Sequence, residues 1–114
     1  MQPSLEQGGT DHIYRVDKFI VPNSARDEFM VRVKATHEVL RKQRGFVQDI
    51  LLEQFAGPGE FNFVTLVEWE SLAHVEEAKA VVVAMHKQSN FNPQEMFQRL
   101  GIKADMAFYK EIGA

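Results

Sequence analysis

Residues 61–71, FNFVTLVEWES, form the segment that most restricts the fold of this chain. β-Branched and aromatic residues dominate it, which is typical of a β-strand, and the side chains of a strand alternate between two faces. One face carries Phe61, Phe63, Thr65, Val67 and Trp69, and the other carries Asn62, Val64, Leu66, Glu68 and Glu70. Both faces hold large apolar groups at mid-strand, so we expect the sheet to be covered on both sides.

Periodicity along the rest of the chain predicts the neighbours of this strand. Further strands are predicted over 13–21, 46–55 and 106–112, and the turn sequence AGPGE joins the second and third strands as an antiparallel hairpin. Helical spacing of apolar residues predicts one helix up to about Gln43 and a second after Ser71, followed by a short helix from Pro93. The order β-α-β-β-α-β predicts an α+β, ferredoxin-like fold: a four-stranded antiparallel sheet with the helices on one face.

Polar residues and glycines predict where the helices begin and end. Asn23 or Ser24, Ser71 and Asn92 are placed to accept hydrogen bonds from free helix N–H groups, with Glu95 completing a capping box. Gly45 and Gly101 supply the left-handed residue that ends many helices.

Composition limits the classes of function. Residues 1–11 are predicted to be a flexible N-terminal tail, without the regions of a secretory signal, and residues 12–114 a single domain. The net charge of −3 and the lack of a basic patch argue against nucleic acid or a membrane surface as partner. The chain has no cysteine, which excludes thiolate sites and is compatible with a cytoplasmic location.

The uncovered sheet face predicts a second copy of the chain. Helices on one side leave several Phe, Leu and Val side chains on the other, more than a monomer usually exposes. We therefore expect a homodimer in which the two sheets face each other, as a dimeric α/β barrel.

Three segments resemble a known family: FIVPNSARDEFM, the Gly45-Phe46 start of the second strand, and VEWESLAHVEEA. They are similar to the antibiotic-biosynthesis-monooxygenase (ABM) superfamily, and the similarity spans about residues 12 to 112. The resemblance implies a small dimeric α/β barrel. It also implies one of several activities, among them cofactor-independent oxidation of phenols or quinols with O₂ and haem degradation.

The resemblance to the haem-degrading branch of that superfamily implies a pattern of three residues: an Asn in the first strand, and a Trp and a later His in the second helix. By counting along this sequence, Val16 stands at the Asn position, Ala78 near the Trp position and His86 close to the His position. One position of three matches, so haem binding through His86 is the weakest of the functions that the resemblance implies.

Histidines, aromatic residues and tyrosines are the candidates for chemistry. His86 and His37 border the buried stripes of the two helices, and imidazole titrates near neutral pH, so each is a candidate general base or a structural histidine. Trp69 and Phe63 are candidate walls for an aromatic ligand, and Tyr14 and Tyr109 candidate hydroxyl donors; ordinary packing roles remain open for all four.

Charged residues on the first strand need partners. Arg15 and Asp17 share a face with Ile13 and Phe19, and if that face lies in the dimer interface they should pair across it. No His–carboxylate spacing is typical of a metal site, and no glycine-rich loop suggests a nucleotide, so neither a metal nor a tightly bound cofactor is expected.

The sequence leaves three functions open. The first is a cofactor-independent monooxygenase that oxidises a small aromatic or quinol-type substrate with O₂. The second is a non-catalytic dimeric module, in a stress or regulatory role, that binds a small hydrophobic ligand. The third is a haem-binding or haem-degrading monooxygenase.

Overall fold

A computed structural model describes residues 11–113 of the chain. The predicted 1–11 tail therefore lies outside the described residues except for Asp11. The elements are β1 (Ile13–Ile20), α1 (Arg26–Leu40), β2 (Phe46–Glu53), β3 (Phe63–Trp69), α2 (Leu72–Gln88), α3 (Pro93–Leu100) and β4 (Lys103–Tyr109). This order confirms the α+β, ferredoxin-like prediction. The largest shift in bounds is at β4, which begins and ends three residues earlier than predicted.

The four strands form one antiparallel sheet in the order β2-β3-β1-β4. In its register Asp17 of β1 lies opposite Thr65 of β3 and Met106 of β4, and Leu51 of β2 lies opposite Thr65. These residues therefore share one face of the sheet, which we call the inner face because α1 and α2 pack on it. The opposite side is the outer face.

Local hydrogen bonds explain two of the three predicted helix starts. Ser71 accepts a bond from the N–H of His74, and Asn92 accepts from Gln94 and Glu95, as predicted. The capping by Asn23 or Ser24 is wrong, because these residues form a 3₁₀ turn with Ala25 and no side chain caps α1. Asp27 and Glu28 in the first turn of α1 still favour the positive end of the helix.

Gly45 does not end the first helix as predicted, because α1 ends at Leu40 with Arg41 as its C-cap. It has two other reasons to be glycine. Its φ of +82° lies in the left-handed region, and a Cβ built there would approach the Cγ of His74 to 2.2 Å. The chain leaving α1 therefore passes directly against the start of α2, which fixes where β2 enters the sheet.

The inner face packs through two groups of buried side chains. Phe19, Phe29 and Phe63 stack edge to face or tilted, with ring centres 4.9 and 5.2 Å apart, beneath the first half of α1. Trp69 packs with Val67, Val75 and Ala78 beneath α2. The space between these two groups is where polar side chains of the sheet meet the helices.

The outer face is left without a covering element among residues 11–113. Leu52 is 54% exposed there, and Ile50 and Tyr109 are 41% and 43% exposed. Glu68 is buried on this side because His12 and Gln48 both hydrogen-bond its carboxylate, at 2.6 and 2.7 Å. Within the described part of the chain, no helix is long and apolar enough to cross a membrane.

Candidate functional site

A cavity lies between the inner face and the helices and consists of two adjoining lobes. The lobe beside α3, the α3 lobe, encloses about 220 Å³, and the lobe beneath α2, the Trp69 lobe, about 280 Å³. The residues lining both lobes are Arg15, Asp17, Thr36, His37, Thr65 and His86. These six include both predicted histidines, so the polar junction of the cavity is the candidate site.

His37 is the best-anchored polar group of the junction. Its ring is buried in the last turn of α1, and its Nδ1 lies 2.9 Å from the Oδ2 of Asp49 on β2. A carboxylate only accepts hydrogen bonds, so Nδ1 carries the proton, and Nε2 is left as the basic nitrogen for the cavity. The arrangement is that of an imidazole oriented by a carboxylate.

Asp49 is in turn fixed by Arg41, whose guanidinium lies 2.9 Å from the Oδ2 of Asp49. Partial burial acts to raise the pKa of Asp49, but hydrogen bonds from Arg41 and His37 outweigh it and hold that pKa below its ordinary value. Asp49 therefore stays ionised at neutral pH and keeps accepting from His37.

Arg15 and Asp17 pair with each other on β1 rather than across an interface. The Nε of Arg15 donates to Asp17, and its guanidinium also lies over the ring of Phe108, 5.2 Å from the ring centre. Burial raises the pKa of Asp17, against the opposite effects of Arg15 and His37. Both charges therefore have a partner within the subunit, and the predicted pairing across a dimer interface is not needed to satisfy them.

His86 is the second histidine of the junction, and its environment differs from that of His37. Its Nε2 is buried without a hydrogen-bond partner among the described residues. Burial lowers the pKa of His86, and the charge of Arg32 lowers it further. At neutral pH the ring is therefore uncharged, with one nitrogen available to a ligand.

The predicted ligand walls divide between the cavity and elsewhere. Trp69 lines the Trp69 lobe with its side chain buried. Phe63 lies on the same face but packs against Phe29 and lines a separate cleft of about 130 Å³. Tyr14 and Tyr109 pair with each other on the outer face, so the structure does not bring their hydroxyls to the cavity.

Sequence reasoning missed Asp49, Arg41 and Arg32. The signal for Asp49 was available, because an acidic residue in the middle of the apolar run FVQDILL is unusual unless it has a partner. The partner itself was not identifiable, because His37 and Asp49 meet only when α1 packs across β2.

Val16, which by counting stands at the Asn position of the haem-degrading pattern, does not line the cavity. Val16 lies opposite Leu66 and Ala107 on the outer face. The β1 side chains that line the cavity are Arg15 and Asp17, so this strand does present polar groups to the site.

A haem would have to span both lobes of this cavity. The lobes measure about 220 and 280 Å³, so neither by itself has the size of a typical small-molecule site of ~300–1,000 Å³. The Arg15–Asp17 pair also occupies the junction where the two lobes meet. Among residues 11–113, no group of three His, Cys, Asp or Glu side chains is arranged to hold a metal ion.

Comparison with known proteins gives matches among solved structures alone: no family model and no curated protein matches the chain. SnoaB, a cofactor-independent oxygenase from Streptomyces nogalater, matches with a TM-score of 0.63 and 18% identity, over 91% of this chain and 96% of that one. MhuD, a heme-degrader from Mycobacterium tuberculosis, matches with a TM-score of 0.66 and 19% identity, over 90% and 97%.

A conserved protein from Methanosarcina mazei Go1 matches equally well, with a TM-score of 0.63 and 19% identity over 91% of this chain and 96% of that one. Identities this low establish the fold and leave the reaction open. The resemblance to the ABM superfamily is therefore confirmed as a resemblance of fold, of the kind found in cofactor-independent and haem-degrading oxygenases.

Proposed function

We propose that this protein is a monooxygenase that needs no tightly bound cofactor and oxidises a small aromatic or quinol-type substrate with O₂. The observation that carries the proposal is His37, a buried histidine oriented by an ionised Asp49 at the wall of a largely apolar cavity. Such a pair removes a proton in many enzymes, and it needs no further group to be activated. The structural likeness to SnoaB supports the same class of reaction.

The size and lining of the cavity suit a flat molecule of two or three fused rings. Trp69 and Val67 form the wall of the Trp69 lobe, and the Phe19–Phe29–Phe63 stack supports the floor of the α3 lobe. A ring in either lobe would present its edge to the shared polar junction. We assign the proton-accepting role to the Nε2 of His37, with His86 as a donor that binds the substrate.

The proposed reaction balances without an external reductant. His37 takes a proton from an activated CH₂ group, as in an anthrone, and leaves a delocalised carbanion. The carbanion transfers electrons to O₂, a C–O bond forms, and the O–O bond of the resulting peroxide breaks with loss of water. The sum is R₂CH₂ + O₂ → R₂C=O + H₂O for an anthrone. A quinol such as 1,4-dihydroxynaphthalene reacts instead through its phenolate, with the same stoichiometry: C₁₀H₈O₂ + O₂ → C₁₀H₆O₃ + H₂O. In each case the substrate loses four electrons and oxygen gains four. The protein contributes desolvation, orientation and a base.

We also propose that the working unit is a homodimer joined through the outer faces. The exposed Ile50, Leu52 and Tyr109 form part of an apolar surface centred on Leu66 and Val64, which lie on the same face. When such a surface lies on a two-fold axis, it contacts the same surface of the second subunit. Each subunit would retain its own cavity, because the cavity opens on the opposite side of the sheet.

Oxygen uptake tests the proposed reaction. Wild-type protein incubated with anthrone and with 1,4-dihydroxynaphthalene in an oxygen electrode should consume O₂ faster than buffer, and a His37→Ala/His86→Ala variant should not. Product formation is followed by mass spectrometry. Equal uptake by wild type and double variant would overturn the proposal, and an unchanged ligand recovered from purified protein would favour a non-catalytic binding module.

A haemin titration distinguishes the haem-binding alternative. Because the Arg15–Asp17 pair occupies the junction between the two lobes, we expect no shift of the Soret band on addition of haemin. A stoichiometric shift that disappears in His86→Ala would replace the proposed function by haem chemistry.

A further inference from the structure

A cationic corner of the α3 lobe is not used by the proposed proton transfer. It lies where α1, α2 and the turn before α3 meet, and its residues are Arg32, His86 and Phe91. The guanidinium of Arg32 lies over the ring of Phe91, 3.9 Å from the ring centre, and the ring of His86 meets the same phenyl edge to face at 5.2 Å. Phe91 therefore holds both nitrogen-bearing groups at one end of the lobe.

Arg32 forms no salt bridge within residues 11–113, although Glu28 is near enough to interact with its charge. Glu28, one turn earlier on α1, is bonded to Arg99 at 2.7 Å. The other charges of the lobe are balanced: Asp17 pairs with Arg15, and Asp49 with His37 and Arg41. Within the described part of the chain, Arg32 is a solvent-exposed residue that lines the lobe without a salt bridge of its own, beside the unpartnered Nε2 of His86.

We propose that Arg32 and His86 form a subsite for an ionised carboxylate carried by the aromatic substrate. The guanidinium offers a fork of N–H donors that matches the two oxygens of a carboxylate, and Nε2–H of His86 supplies one further donor. An aromatic ring that carries this carboxylate would extend from the corner toward the polar junction, where the two lobes meet. This inference deepens the proposed function and rests on it for the aromatic ring, whereas the anion subsite is tested by binding alone.

The test is calorimetric binding of two inert probes that differ in charge and little in shape, naphthalene-2-carboxylate and naphthalene-2-carboxamide. Wild-type protein should bind the carboxylate about tenfold more tightly than the amide, in keeping with a charge-assisted hydrogen bond. Arg32→Gln should abolish this preference by weakening the carboxylate about tenfold while changing the amide less than twofold. Arg32→Lys, which keeps the charge without the fork, should fall between them.

Arg44→Gln is the matched control. Arg44 is an exposed arginine outside the cavity whose partner is Glu77, so its loss changes the net charge equally and should leave both affinities unchanged. The subsite is refuted if the carboxylate does not bind, if it binds no better than the amide, or if Arg32→Gln weakens both probes alike. Circular dichroism of each variant confirms that it is folded.

Failure of the subsite and failure of the proposed function are distinguishable. A carboxylate preference that depends on Arg32, with no oxygen uptake from any quinol or anthrone, would keep the subsite and remove the oxygenase. Uptake with neutral 1,4-dihydroxynaphthalene, together with equal binding of the two probes, would keep the oxygenase and remove the subsite.

Discussion

The two faces of the sheet each bury a carboxylate, and the two carboxylates differ in how well they are satisfied. Asp17 on the inner face has its pKa raised, because burial outweighs the effects of Arg15 and His37. Glu68 on the outer face has its pKa lowered by hydrogen bonds from His12 and Gln48. A carboxylate held at a cost to stability is typical of a functional site, whereas a fully bonded one is typical of a structural position.

The apolar side chains of the two faces also differ, in how far they are buried. On the inner face Phe63 and Trp69 are buried by the protein's own helices, and the space that remains is a cavity lined by polar groups. On the outer face the apolar side chains lie in the open, and no described element covers them. The proposed ligand site therefore belongs to the inner face, and the proposed dimer contact to the outer face.

The largest expected effect concerns the inner face. Replacing His37 with alanine removes the proposed base and should lower kcat by roughly 10²–10⁴-fold. Val31→Ala, on the exposed side of α1, is the control and should not change kcat. Stopped-flow or oxygen-electrode rates at saturating substrate provide the measurement. A decrease in kcat of less than threefold would show that His37 is not the base of the reaction.

The next effect concerns the outer face. Leu66→Glu places a charge at the centre of the proposed interface and should convert the dimer into a monomer, because burying an unpaired carboxylate is costly. Light scattering should report a mass of 13.1 kDa for the variant and twice that for wild type. Val31→Glu adds the same charge on an exposed helix surface and should remain dimeric. A wild-type protein that is already monomeric at micromolar concentration would contradict the proposed interface.

A smaller effect separates orientation from proton transfer on the inner face. Asp49→Asn keeps the shape of the partner of His37 but loses its charge, and should lower kcat about tenfold while KM stays within about twofold. Asp105→Asn, at an exposed outer-face position of β4, is the matched control. A change in KM with an unchanged kcat would show that Asp49 serves binding and not the base.

The smallest effect compares the two carboxylates through the pH dependence of stability. A carboxyl group whose pKa is lower in the folded than in the unfolded state adds stability as pH rises from the folded pKa to the unfolded pKa. A carboxyl group whose pKa is raised in the folded state removes stability as pH rises from the unfolded pKa to the folded pKa. Between pH 4 and pH 7, the free energy of unfolding of Glu68→Gln should therefore rise less than that of wild type, and that of Asp17→Asn should rise more. Each difference should be about 1 kcal/mol or less, measured by urea unfolding. If the free energy of unfolding rose equally with pH in the two variants, the proposed difference between the two carboxylates would be refuted.

Features that depend on neighbours in the sequence were predictable. Ser71 and Asn92 cap their helices, and Gly101 ends α3 in the left-handed conformation, because each depends on contacts within a few residues. The alternation in β3 likewise placed Trp69 on the face that lines the cavity. These signals are local, so a single sequence carries them.

Features that depend on register were not predictable by counting. A shift of one residue moves a strand's side chains to the other face, so counting along the sequence did not decide whether Val16 or its neighbours Arg15 and Asp17 line the cavity. Tyr14 lies two residues before Val16 and therefore on the same, outer face, and its cross-strand partner Tyr109 lies on that face too. Hydrophobic patterning did not settle these positions, because both faces of the sheet are apolar.

The sequence by itself determined the order of elements, the antiparallel sheet and the presence of two apolar faces, since these follow from periodicity and turn residues. Tertiary structure alone decided that His37 meets Asp49, that Arg32 and His86 share the ring of Phe91, and which face holds the cavity. Those contacts join α1 to β2 and α1 to α2, and they form only when the helices pack across the sheet at one particular register. Packing geometry, which no local pattern encodes, therefore determines the site.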